Sequence, residues 1–173
     1  MTTASPPATA PYVIGIGNAV MDVIVTVNEA RLQQLDIRKG IMQLIDRPRA
    51  EDLMAQIAAP GTGSARQVPG GSVANTLAGL GMLGVRTAFI GRVADDPLGL
   101  SYAEQTEAAG TRFVNPPVAG DDLPTSRCVV LVTPDGERSM NTYLGISAEF
   151  GPEDVAAEVF DGAGWLFLEG YLF

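Results

Sequence analysis

Short β-branched runs alternate with longer amphipathic segments along most of this chain. Tyr12 to Ile16 is a compact apolar run that predicts a strand feeding the tight turn Gly17-Asn18. Val23 to Val27 is β-branched and predicts a second strand. Glu29 to Leu35 sets Leu32 and Leu35 on one helical face, and Ile41 to Ile45 predicts a strand. Pro48 to Ala59 predicts a helix, with Glu51 and Asp52 in its first turn and Leu53, Met54 and Ile57 on one face. Pro60 to Ser64 reads as a loop, and Gln67 to Gly71 as another that ends in two glycines. Ser72 then suits the N-cap of a helix running to Leu83, whose Ala74, Ala78 and Gly81 form a face of small residues. Arg86 to Val93 predicts a buried strand. Asp96-Pro97 opens a helix that Gly110 closes, and Arg112 to Asn115 is a further short strand. Alternating strands and helices of this kind predict a parallel sheet covered by helices.

After this the pattern changes. Thr125 to Thr133 predicts a strand, Pro134-Asp135-Gly136-Glu137 a hairpin turn, and Arg138 to Leu144 the returning strand. Period-two alternation puts Arg138, Met140, Thr142 and Leu144 on one face and Ser139, Asn141 and Tyr143 on the other. The first face suits the cover of a sugar or nucleoside, and it suits equally an ordinary half-buried strand. Pro152 to Phe160 predicts a short helix, and Gly164 to Leu168 a last buried strand, soon after which the chain ends at Phe173. A chain that stops so close to a core-type strand reads as one that has been cut.

Composition narrows the chemistry. With 46% hydrophobic and 18% charged residues in 173, the chain reads as one globular domain. Met1 to Pro11 is small, Pro-rich and without positive charge, and reads as a disordered tail rather than a signal peptide, so cytoplasmic residence is the default. A net charge of −9 argues against nucleic-acid or membrane-surface partners. The absence of histidine removes Ser-His-Asp and Cys-His catalysis and His-ligated metals. Cys128, the one cysteine, lies in an apolar run and reads as a buried, inert thiol.

Candidate chemistry gathers at the two glycines. Gly70 and Gly71 let a ligand touch backbone, and Asn75 in the following turn offers both a donor and an acceptor at a helix N-terminus. The same residues also suit a plain turn that starts a packed helix. Asp22 follows Gly17-Asn18 closely. It is expected at the carboxyl end of a strand, where its carboxylate can accept from two neighbouring sugar hydroxyls. Gly15-x-Gly17 hints at a dinucleotide site, but Val20 stands where the third glycine belongs and a strand follows instead of a helix.

Five segments in order carry a resemblance. They are Gly15 to Asp22 (GIGNAVMD), Gly70 to Thr76 (GGSVANT), Phe89 to Gly99 (FIGRVADDPLG), Asp135 to Gly145 (DGERSMNTYLG) and Leu168 to Leu172 (LEGYL). From about Tyr12 to Phe173 the chain resembles the amino-terminal half of the PfkB family of carbohydrate and nucleoside kinases. The Asn-x-x-x-Asp start and the Met140 to Gly145 stretch are most similar to its bacterial adenosine kinases. The resemblance implies a ribokinase-like, three-layer αβα fold with a small β-sheet lid, drawn in part from 12–46 and from 123–146. This chain would be its incomplete amino-terminal portion. It implies that Asp22 holds two sugar hydroxyls and that Asn18, Gly70, Gly71 and Asn75 hold the sugar. Met140, Thr142 and Leu144 would face the substrate, Val20 and Leu172 would add apolar contacts to a base, and Arg138 would sit near the transferred phosphate.

The resemblance further implies ATP and Mg²⁺ for the intact enzyme. The catalytic aspartate, in a Gly-Ala-Gly-Asp type motif, would lie beyond Phe173. Gly162-Ala163-Gly164 is followed by Trp165, and there is no Walker-type loop. Two readings follow. In one, the chain is the substrate half of a kinase, inactive by itself. In the other, it is a truncated relative that binds a sugar or nucleoside, or forms a homodimer through its lid sheet, without catalysis.

Overall fold

The computed structural model describes residues 12–59, 64–120 and 122–172. The tail expected over residues 1–11 and most of the loop expected from Pro60 to Ser64 lie outside the described residues. In chain order the elements are β1 (Tyr12–Ile16), β2 (Val20–Thr26), α1 (Glu29–Gln34), β3 (Met42–Leu44), α2 (Arg47–Ala58) and β4 (Arg66–Gly70). They continue with α3 (Ser72–Met82), β5 (Arg86–Ile90), α4 (Pro97–Ala108), β6 (Thr111–Phe113), β7 (Ser126–Val132), β8 (Arg138–Tyr143) and β9 (Trp165–Leu168).

Two sheets result. The first is parallel throughout, in the order β6-β5-β1-β9. Helix α3 sits directly on its central strand, because Gly15 and Gly17 present no side chain. A Cβ on Gly15 would fall 2.4 Å from Val73 Cγ1, and one on Gly17 2.7 Å from Val73 Cγ2. The core between this sheet and α3 and α4 gathers Val73, Leu77, Phe89, Tyr102 and Phe113. The opposite face packs Tyr12, Ile14, Ala88 and Ile90 against half-buried Phe150, Val155 and Phe160.

The second sheet is mixed, in the order β3-β8-β7-β2-β4. Strand β2 runs parallel to β7 and antiparallel to β4, and β7 and β8 form the expected hairpin, turning at Gly136 with φ 84°. Helices α1 and α2 cover one face. There Val23, Val25, Val129 and Leu131 meet Leu32, Leu35, Leu53 and Ile57. The other face carries Val20, Cys128 and Val130, bordered by half-buried Ile24, Val132 and Met140.

Four expectations need correction. The stretch expected as a loop before Gly71 is a strand, β4, and it adds an element to the second sheet outside the spans expected for the lid. Pro69 obscured it, but β4 is an edge strand, where a missing N–H is tolerated. Ser72 is not the N-cap of α3. Gly71 holds that place with φ 96°, and Ser72 is the first helical residue. The helix expected over Pro152 to Phe160 is two separate 3₁₀ turns, Pro152–Asp154 and Ala157–Phe160. Finally, β9 is not buried. It is an edge strand, with Trp165 70% and Phe167 37% exposed.

The start of α4 is as expected and unusually tight. The Asp96 carboxylate caps the helix by accepting from the Gly99 N–H, and it also accepts from the N–H and hydroxyl of Thr125. A Cβ on Gly99 would fall 2.1 Å from the Ala94 carbonyl oxygen. Gly99→Ala should therefore destabilise the protein by about 2–4 kcal/mol in urea unfolding. Gly79→Ala, on an exposed turn of α3 with nothing within 4 Å of the added methyl, should stabilise it by about 0.5–1 kcal/mol.

Candidate functional site

The turn Gly17-Asn18-Ala19 leads from the parallel sheet into the mixed one, so Asn18 stands where the two sheets meet. Asp22 is not at the carboxyl end of β1, as the sequence suggested. It lies inside β2, because Val20 to Thr26 forms one continuous strand in which Asp22 is a half-buried position. Its register neighbours are Val68 on β4 and Cys128 on β7; Cys128 pairs in turn with Thr142 on β8, and Thr142 with Leu44 on β3. The adjacent same-face row runs Ile24, Val130, Met140, Met42. One face of the second sheet thus holds a single carboxylate among apolar groups.

Gly70 presses against this carboxylate, and Gly71 against the backbone of Asn18. A Cβ on Gly70 would fall 2.5 Å from Asp22 Cγ, and one on Gly71 2.4 Å from the Asn18 carbonyl oxygen. With Gly71 also at φ 96°, backbone alone can fill this corner. Burial of Asp22 in this packing raises its pKa from 3.8 to about 6, and the positive charge of Arg138 offsets part of the shift. Asn18 Oδ1 accepts from the Ser147 hydroxyl at 2.9 Å, which fixes the amide and leaves its nitrogen to donate.

The remaining expected residues divide. Val20, Met140 and Thr142 lie on the Asp22 face, and exposed Arg138 continues it along β8. The Thr142 hydroxyl donates to Cys128 Sγ at 3.3 Å. Leu144 does not continue this face. The strand ends at Tyr143, and Leu144 turns to φ −76°, ψ −26° as the residue before a 3₁₀ turn, which breaks the alternation. Asn75 is exposed in the first turns of α3 and borders a groove of about 370 Å³ shared with Ala78, Gln105 and Ala109. The side chain of Leu172 lies outside the described residues.

Three further residues join the region without having been singled out. Met42 and Leu44, 52% and 65% exposed, extend the apolar face across β3. Alternation within the predicted Ile41 to Ile45 strand held that signal. Glu169, just past β9, accepts a hydrogen bond from the Ser72 hydroxyl at the start of α3, and burial raises its pKa. A cavity of about 290 Å³ opens beside it, lined by Ile16, Phe150, Pro152, Val155, Leu168 and Glu169. Only knowledge that β9 lies beside β1 would have linked Glu169 to the rest. Among the described residues, no group of three or more Asp, Glu, Cys or His side chains is placed to hold a metal ion. No helix among them is long and apolar enough to cross a membrane.

A four-stranded parallel sheet with helices, joined to a five-stranded mixed sheet whose open face carries one carboxylate, is the ribokinase-like architecture. The sequence profile of the pfkB family carbohydrate kinase matches residues 41–170, and the chain belongs to that family. A fructokinase of Klebsiella pneumoniae is 34% identical over 117 residues, which make up 66% of this chain and 37% of that protein. Among solved structures, the adenosine kinase of Sinorhizobium meliloti is 43% identical with a TM-score of 0.81, covering 95% of this chain and 48% of that one. A probable sugar kinase from Rhizobium etli CFN 42 is 41% identical at the same TM-score of 0.81, with the same coverage. The chain thus spans about half the length of these solved relatives.

Because burial favours the protonated form of Asp22, its ionised form opposes folding. This penalty is complete above about pH 6 and disappears as pH falls to the unfolded value of 3.8. Asp22→Asn should raise the thermal midpoint at neutral pH. The gain should shrink through the window from 6 to 3.8, as followed by circular dichroism at several pH values.

Proposed function

We propose that this chain forms the acceptor side of an ATP-dependent sugar or nucleoside kinase, with an adenosine-like nucleoside as its best substrate. The observation that carries this reading is the open face of the second sheet. One carboxylate, Asp22, sits against side-chain-free Gly70, which Gly71 follows, on a face whose other groups include the apolar Val20, Ile24, Val130 and Met140. A carboxylate accepts hydroxyl protons, a bare backbone lets a sugar ring come close, and an apolar shelf suits a flat base. Val20, Met140, Met42 and Leu44 supply such a shelf, which favours a nucleoside over a free hexose. Arg138, at the outer end of this face, is suited to the negative charge of a transferring phosphoryl group.

In this reading ATP and Mg²⁺ belong to the intact enzyme. There is no Walker-type loop in the sequence and no metal-binding cluster among the described residues. We therefore assign the phosphate-donor site and the catalytic aspartate to polypeptide outside these 173 residues. The exposed edge strand β9 favours this division, since four consecutive apolar residues stand uncovered there. By itself the chain would bind the acceptor without transferring phosphate. The second reading, a binding protein with no donor half, rests on the same observation.

ADP release by the full-length protein should be faster with adenosine than with ribose or fructose. Asp22→Ala should weaken adenosine binding by about 1–3 kcal/mol through lost charged hydrogen bonds. ADP release from fructose alone would move the assignment to a hexose kinase. Adenosine binding without ADP release, in a protein whose intact mass matches these 173 residues, would support the non-catalytic reading.

A further inference from the structure

Tyr102, on α4, is fully buried, and its hydroxyl donates to the Gly70 carbonyl oxygen at 2.9 Å. Its ring is held by Phe89 and Phe113, with centroids 6.3 and 5.8 Å away. Burial, and secondarily the charge of Asp22, push the phenol pKa well above its usual range, so the hydroxyl remains a donor. The first turn of α4 is fixed by Asp96 and Gly99, so the position of Tyr102 is set from outside the site.

We infer that Tyr102 is a positioning residue for acceptor binding, a clamp that sets the Gly70–Gly71 peptide against Asp22. None of the described peptide bonds is cis, and in a trans peptide the carbonyl and the following N–H point in opposite directions. Drawing the Gly70 carbonyl toward α4 therefore turns the Gly71 N–H away from the core, where it can donate to an acceptor. The same bond holds the Gly70 backbone against the Asp22 carboxylate and keeps water from it. This inference rests on the proposed function, because it names what prepares that site.

The test compares two variants of the full-length protein with adenosine as the probe. Tyr102→Phe keeps the ring and removes only the donor. Phe113→Leu loosens the same aromatic cluster without touching Gly70. Calorimetry near neutral pH should show adenosine affinity falling about tenfold in Tyr102→Phe and staying at the wild-type level in Phe113→Leu, although Phe113→Leu melts lower. A ligand-free readout accompanies it. The carboxyl of Asp22, followed by ¹³C NMR, should titrate near 6 in the wild type and lower in Tyr102→Phe, because the released turn admits water. The charged group that acts on Asp22 is Arg138 on β8, while the Asp22 charge in turn acts on Cys128 on β7 and on Tyr102; both variants keep Arg138 and Cys128.

Wild-type affinity in Tyr102→Phe overturns the inference, and so does an equal loss in Phe113→Leu. If the wild-type protein does not bind adenosine, the proposed function fails and the Asp22 titration alone decides. An unmoved midpoint in Tyr102→Phe would then overturn the clamp.

Discussion

The contact between the Gly70 backbone and the Asp22 carboxylate organises the rest of this structure. It exists because β4 pairs antiparallel with β2, so that Gly70 stands beside Val20 at the end of the pair. Any side chain at Gly70 would occupy the space of the carboxylate itself. The contact also ties the two sheets together. Gly70 leads through Gly71 into α3, and α3 lies on the bare backbone at Gly15 in β1 and at Gly17 just after it. The position of Asp22 is thus referred, through two short glycine pairs, to the core of the parallel sheet.

The electrostatics match a site built at the expense of stability. Asp22 is partly desolvated in a chain that already carries a net charge of −9, and Arg138 compensates it incompletely. By contrast Lys39 bridges Glu29 and Asp135 at the surface, where such pairs contribute little to stability but fix the hairpin turn to the segment after α1. On the second sheet, α1 and α2 close one face with an apolar core. The opposite face keeps its carboxylate and its methionines accessible, which is the arrangement expected where a ligand completes the packing.

Much of the fold was legible because most elements carry local signals. The strand of Tyr12 to Ile16, the Asp96-Pro97 helix start with its Gly110 stop, and the hairpin at Asp135-Gly136 are each specified by residues within a few positions. What escaped was set by distant partners. Pro69 made β4 look like a loop, and only its place at a sheet edge reconciles proline with a strand. Asp22 was displaced from a strand end to a strand interior because a polar residue amid β-branched neighbours looks like punctuation. Alternation on β8 put Arg138, Met140 and Thr142 on one face, and it failed at Leu144, where the chain turns into a 3₁₀ segment. Alternation within Ile41 to Ile45 put Met42 and Leu44 on one face, but only the pairing of β3 with β8 brings that face to the site region, and Tyr102 and Glu169 reach it through contacts that no local window contains.

The most direct measurement is a crystal structure of the full-length protein with adenosine. The account predicts the ribose over Gly70 and Gly71, two of its hydroxyls within hydrogen-bond distance of the Asp22 carboxylate, and the base against Val20 and Met140. Adenosine seated in the groove beside Ala78 and Gln105, with Asp22 left untouched, would contradict it.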